Sequence, residues 1–234
     1  MKKEELFKRR REPRKNRRYD FKIPKAESYL IVTEGKCTEP NYFNGLKKKI
    51  LAKVGGVVDV IDICGEGAST QKLIEITDRY VSKAKIPYKH VWVVFDKDDF
   101  QDFDQAIKEG EDKDYHVAWS NQSFEYWIYL HFGFSDVNLH RDQWNAKLDE
   151  LFKSKGLSRS GYKKNIKDLY ELLNSFCGVE TAIKNAKFRM ADFDPKKNKP
   201  SKYAPGTTVH ILVEELRKYL EDSWLERESW QLRR

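Results

Sequence analysis

Two short apolar runs stop abruptly on carboxylates: LIVTEG at residues 30–35 and VWVVFDKDDF at residues 91–100. Apolar, β-branched residues in unbroken series suit a strand buried on both faces, and such strands occur in parallel sheets covered by helices. A sheet of that kind opens its crevice at the carboxyl ends of the strands. Runs that end in acids therefore bring those acids to one edge, and Glu34, Asp96 and Asp98 are predicted to share a site despite their distance in sequence. Gly35 beside Glu34 permits a tight turn there.

The surrounding pattern agrees with this constraint. Tyr29–Val32 reads as the first strand, followed by a helix from Thr38 to about Lys53 that buries Tyr42, Phe43, Leu46 and Ile50. Thr38, Glu39 and Pro40 form its start, with a capping hydroxyl, an early acid and a proline whose missing N–H costs nothing. Gly55 and Gly56 close the helix and Val57–Ile63 is the second strand, ending in CGEGAST. A helix capped by Ser69 or Thr70 runs to about Ala84 before Pro87; Val91–Phe95 is the third strand, Phe103–Glu109 a short helix, and His116–Trp119 the fourth strand. Strand and helix alternate four times, which predicts a parallel α/β sheet flanked by helices.

From Phe124 onward the spacing is helical, with elements expected at FEYWIYLHF, Gln143–Phe152, Ile166–Leu173, Val179–Met190 and Val209 to about Trp224. Between the last two lies DFDPKKNKPSKYAPG, a polar, proline-rich stretch expected to be a long loop or disordered. The chain thus divides into a basic arm over residues 1–25, an α/β core over 26–122 and a helical elaboration over 123–234 packed on the core. The aromatic run Phe124, Tyr126, Trp127, Tyr129, Phe132 and Phe134 suits packing between sheet and helices, and its rings also suit base stacking.

Charge is segregated along the chain. Residues 1–25 hold 12 Lys/Arg against 4 Asp/Glu, net +8; residues 26–140 hold 13 against 19, net −6; residues 141–234 hold 20 against 14, net +6. An acidic centre between cationic flanks suits carboxylates that bind metal while their surroundings attract phosphate; a solvated tail and ordinary helix faces give the same count. A mean hydropathy of −0.79 and the lack of a long apolar run argue against a membrane span, and the basic N-terminus lacks the apolar stretch of a secretory signal, so a cytoplasmic location is expected. Cys37, Cys64 and Cys177 are too widely spaced for a zinc site, and Cys37 reads as a small residue near the site more readily than as a nucleophile. The five histidines show no helical ligand spacing, and GEGAS lacks the Gly-Lys-Ser/Thr of an ATP-binding loop.

Clustered carboxylates repel one another, and a divalent cation relieves the repulsion; an all-oxygen donor set favours Mg²⁺ or Mn²⁺ over zinc. A strand ending in Glu-Gly, a strand–helix unit and a strand ending in Asp-x-Asp resemble the Toprim domain of topoisomerases, bacterial primases and OLD-type nucleases. The blocks EGKCTEPNYF, FDKDDF, SNQSFEYWIYLHF and PGTTVHILVEEL together are similar to the RloB-like (AbiLii) abortive-infection family, from Tyr29 to about Leu220. That resemblance implies metal-dependent cleavage of DNA or RNA, tRNA included, in anti-phage defence, with an AAA/ABC-type partner ATPase in control. It matches Glu34 to a general acid/base or metal-binding glutamate and Asp96 and Asp98 to a metal pair. Glu39 and Asp99 match further acids near the site, which helix-start and turn roles explain equally well, and Glu125 matches an additional site acid. Lys97, Lys163 and Lys164 are candidate nucleic-acid contacts as well as ordinary surface lysines. A non-cleaving nucleic-acid-binding or regulatory subunit is the alternative, and a primase would need a template-binding region that the sequence does not offer.

Overall fold

In the computed structural model the described residues are 27–54, 58–97, 101–176 and 178–221. The expected basic arm, Gly55, Gly56, Val57, Asp98, Asp99, Cys177 and the last thirteen residues lie outside them.

Five strands form one sheet: β1 (Glu27–Thr33), β2 (Val58–Gly65), β3 (His90–Asp96), β4 (His116–Asn121) and β5 (Gly206–Thr207), in the order β2-β1-β3-β4-β5. The first four are parallel, with Val32 opposite Cys64 and Val93, and Asp96 opposite Ser120; β5 runs antiparallel to β4. The central strands are buried on both faces, as their unbroken apolar runs require. Tyr29, Ile31, Trp92 and Val94 point into one core, and Leu30, Val32, Val91, Val93 and Phe95 into the other.

Helices α1 (Thr38–Val54), α2 (Thr70–Lys83) and α3 (Phe103–Asp112) connect the strands. The α2 and α3 residues Leu73, Ile74, Ala106 and Ile107 fill the second core. The first core is larger, because α1 shares it with the C-terminal helices α4 (Phe124–Tyr129), α5 (Arg141–Ser154), α6 (Leu169–Phe176), α7 (Val179–Met190) and α8 (Val209–Arg217). Tyr42 lies at its centre, edge-on to Phe43, Phe124, Trp127 and Tyr170. Truncating a fully buried ring of this kind to alanine costs about 3–5 kcal/mol. Phe124, Tyr126 and Trp127 are buried here; Phe134 is 41% exposed and packs on Phe188.

Several sequence expectations need correction. Thr38 is already helical, and its hydroxyl donates to the Lys164 carbonyl at 3.0 Å. Ser69 stands at the N-cap of α2 but makes no side-chain capping bond. The helix expected over 166–173 runs from Leu169 to Phe176, and α8 tightens into a 3-10 turn at Lys218–Leu220. The polar stretch 192–206 is only in part the loop that was expected. It carries a 3-10 turn at Pro200–Lys202 and ends by delivering β5 to the sheet, where the Thr208 hydroxyl accepts the Trp119 N–H at 2.9 Å. Two strand residues are too few to show a period. No described helix is long and apolar enough to cross a membrane.

Candidate functional site

The backbone past β1 is tied to its neighbours before any side chain is considered. The Glu34 N–H donates to Val94 O at 2.9 Å, continuing the β1–β3 pairing beyond the strand, and the Gly67 N–H donates to Glu34 O at 2.7 Å. The Thr33 hydroxyl donates to Gly35 O at 2.9 Å and fixes the turn. Gly35 is required here by close approach: a Cβ on it would lie 2.1 Å from Glu39 Oε2, so the Glu39 carboxylate rests directly against the glycine. The same α1 start is clamped from β2, where a Cβ on Gly65 would meet Pro40 Cγ at 2.7 Å.

At the end of β3 the Asp96 N–H donates to Glu34 Oε2 at 3.1 Å, which joins the two strand ends through the glutamate itself. Glu125, in α4, is 2% exposed and turns inward to the same place. The Tyr162 hydroxyl donates to Glu125 Oε1 at 3.3 Å, and Lys164 Nζ stands 3.2 Å from that oxygen. Arg141, the first residue of α5, donates from Nη2 to Lys97 O at 3.3 Å. An open cavity of about 290 Å³ is lined here, with Glu34, Glu39, Asp96 and Glu125 as its acids and Arg141 and Lys164 among its cations.

The electrostatics follow from this crowding. Burial pushes the Asp96 carboxyl well above the ordinary carboxylate range; the charges of Glu39, Glu125 and Glu34 push the same way, against the Phe124 backbone N–H. Burial also lifts Glu39, to about 7; its own backbone N–H and that of Gly35 oppose the shift, Glu125 adds to it and Lys164 opposes it. Tyr162 is held in its neutral hydroxyl form by burial and by the adjacent Glu125 charge. Carboxylates raised by burial, and further by one another, make a site in which added positive charge is stabilising.

The structure therefore brings together Glu34, Asp96, Glu39, Glu125 and Lys164 of the expected residues. It does not place Lys97 or Lys163 in the cavity lining; Lys97 contributes its carbonyl to Arg141, and Lys163 faces solvent. Asp98 and Asp99 lie outside the described residues. Glu66 accepts the Tyr80 hydroxyl at 2.6 Å and lines a separate, smaller cavity, in keeping with a loop acid. Cys37 is exposed at the cavity wall. Arg141 and Tyr162 were missed by sequence reasoning: neither lies in an acidic block, and Tyr162 carries a signal only as the neighbour of the lysines in SGYKKN.

The donor set is chemically suited to a hard cation, since every acid in the cavity offers carboxylate oxygen. Among the described residues, however, no three Asp, Glu, His or Cys side chains already stand as a metal-holding group. Of the histidines, His131 is buried in the core between Tyr42 and the Trp127 carbonyl, and burial lowers its pKa to about 4.

Comparison with protein families gives a match to the family described as RloB-like protein over residues 29–216, and the chain belongs to that family. No curated protein and no solved structure matches it.

Proposed function

We propose that this member of the RloB-like family is a metal-dependent nuclease with a Toprim-type site, hydrolysing phosphodiester bonds of DNA or RNA, tRNA included, in defence against phage and under the control of a partner ATPase. The observation that carries the reading is the convergence of Glu34, Glu39, Asp96 and Glu125 on one open cavity, with Asp96 and Glu39 held above the carboxylate range. A purely structural role gives no return for such crowding, because unneutralised buried acids destabilise the fold.

Glu34 and Asp96, with Asp98 of the same motif, would hold Mg²⁺ or Mn²⁺; Glu39 and Asp99 are the candidates for completing the set. A bound cation of this kind supplies Lewis-acid polarisation of the phosphate and acidifies a water. The chain's own groups do the rest. Glu34, which accepts the Asp96 N–H at 3.1 Å, is the candidate general acid/base for the attacking water where it does not hold the cation. Arg141 and Lys164 line the same cavity as the acids and would attract the substrate phosphate. The +8 carried by residues 1–25 adds affinity for a polyanion of either type, so removing them should weaken binding and flatten its salt dependence.

The test is Mn²⁺ or Mg²⁺ binding by calorimetry for the wild type and for D96N combined with D98N, followed by cleavage of mixed DNA and tRNA in the same buffers, with and without the partner ATPase. Binding lost in the variant, together with metal-dependent cutting by the wild type, supports the nuclease and names the polymer. A second reading, a nucleic-acid-binding regulatory subunit, draws on the Lys164–Glu125 pair, which already neutralises one acid without metal. It predicts polymer binding that is indifferent to divalent ions and no cutting in any combination.

A further inference from the structure

The acids of the cavity are not bare in the described state. Glu34 accepts the Asp96 N–H, Asp96 is stabilised by the Phe124 N–H, and Glu39 by the N–H groups of Gly35 and of its own residue. Glu125 is held by the Tyr162 hydroxyl and by the Lys164 ammonium, on the same oxygen. Lys164 is thus a full positive charge set among the carboxylates, close enough to Glu39 to lower its pKa as well.

Its placement is built in at the backbone. The Thr38 hydroxyl donates to the Lys164 carbonyl at 3.0 Å, tying the lysine's segment to the first turn of α1, next to Glu39. The pair is also asymmetric: the Lys164 side chain is 59% exposed, whereas its partner carboxylate is 3% exposed. The ammonium can therefore swing into water on its flexible stem, while Glu125 cannot follow. Arg141, by contrast, is tied to the Lys97 carbonyl.

We infer that Lys164 is the resident counter-ion of this cavity, a built-in occupant that a divalent cation displaces from Glu125 on entry. The inference rests on the nuclease reading and adds to it a control: in the apo protein Lys164 neutralises Glu125, and metal loading and lysine release are one event. By linkage, whatever holds the lysine on Glu125 weakens the cation, and whatever holds the lysine elsewhere, including a substrate phosphate, strengthens it.

The test uses the full chain at pH 8, with Mn²⁺ alone as the probe in calorimetry. K164M is expected to bind Mn²⁺ about fivefold more tightly than the wild type, the scale of a partly exposed ion pair, and K164R to return towards the wild type. Removal of any nearby charge helps a cation somewhat, so T38V serves as the discriminating variant: it keeps the charge and loses the tether, and should shift affinity in the same direction by a smaller factor. The ¹³C-dimethylated Lys164 resonance, assigned by its loss in K164R, should move on Mg²⁺ addition in the wild type. A resonance unmoved by saturating Mg²⁺, or K164M binding no tighter than the wild type, overturns the counter-ion and leaves the metal site standing. If neither the wild type nor K164M binds Mn²⁺, the nuclease reading itself falls.

Discussion

Acids gather at both ends of the β1–β3 pair, and the two ends treat them in opposite ways. At the amino end, Glu27 meets His90 Nε2 at 2.8 Å and Lys89 Nζ at 3.6 Å, while Glu215 stands 3.4 Å from the other ring nitrogen of His90. Burial works to raise the Glu27 pKa, but the His90 hydrogen bond and the charges of Lys89, His90 and Lys218 outweigh it and leave Glu27 below the usual range. At the carboxyl end, burial and mutual repulsion prevail, and Asp96 and Glu39 are raised. The same strands in the same sheet thus carry one acid cluster solved by pairing and one left in tension. At the amino end the cations outweigh burial; at the carboxyl end Lys164 pairs with Glu125 but leaves Asp96 and Glu39 raised.

The largest effect expected from this contrast is on activity. Asp96→Asn should reduce metal-dependent cleavage by roughly 10²–10⁴-fold, while raising the melting temperature, because it removes a buried charge and keeps the side-chain shape. Glu27→Gln should do the reverse, leaving cleavage intact and lowering the melting temperature. Parallel behaviour of the two variants in both assays would erase the distinction.

The next effect is on the sign of the pH dependence. Glu39 has a folded pKa of about 7 against an ordinary 4.5, so between those values the folded state holds more protons than the unfolded one. Its contribution to stability falls as pH rises through that window, by at most about 3 kcal/mol at 1.36 kcal/mol per pH unit. Glu27 has the opposite sign: its contribution is present above pH 4.5 and is lost as pH falls through its depressed folded value. Urea titrations from about pH 2 to pH 8 should show the Glu39 slope vanish in Glu39→Gln. The Glu27 slope should survive there and disappear in Glu27→Gln.

The smallest effect sharpens the comparison at the paired end. Glu27 is about one-third exposed, so its pair is partly screened, and Glu27→Gln should cost only about 0.5–1 kcal/mol at low salt. That cost should shrink in high salt, whereas the Asp96→Asn gain should persist because that charge is enclosed. Equal salt sensitivity at both ends would place the two clusters in the same environment.

Much of this architecture is legible in sequence, for a reason particular to its strands. β1 and β3 are buried on both faces, so the apolar run, the buried segment and the acid at its end coincide; the helix over Val179–Met190 was also placed at its observed bounds. The convergence of Glu34 with Asp96 follows from parallel topology alone. Glu125 was reached only through family resemblance, since an acid among aromatics reads equally well as a core partner. The cationic side of the cavity was scarcely legible. Arg141 reaches it, and Tyr162 reaches Glu125, from segments whose position depends on tertiary packing, and the Thr38–Lys164 contact links residues 126 positions apart through a hydroxyl that local rules assign to a helix cap.

The two-residue strand β5 has a consequence for how the protein is made. It is laid on the edge of β4 by nearly the last described part of the chain, bringing Thr208 to the Trp119 backbone. Until synthesis passes that point, β4 is an open sheet edge beside a large indole, the kind of surface that invites pairing with another chain. A polypeptide released short of Gly206 would therefore leave Ser120 and Asn121 of β4 without their strand partners.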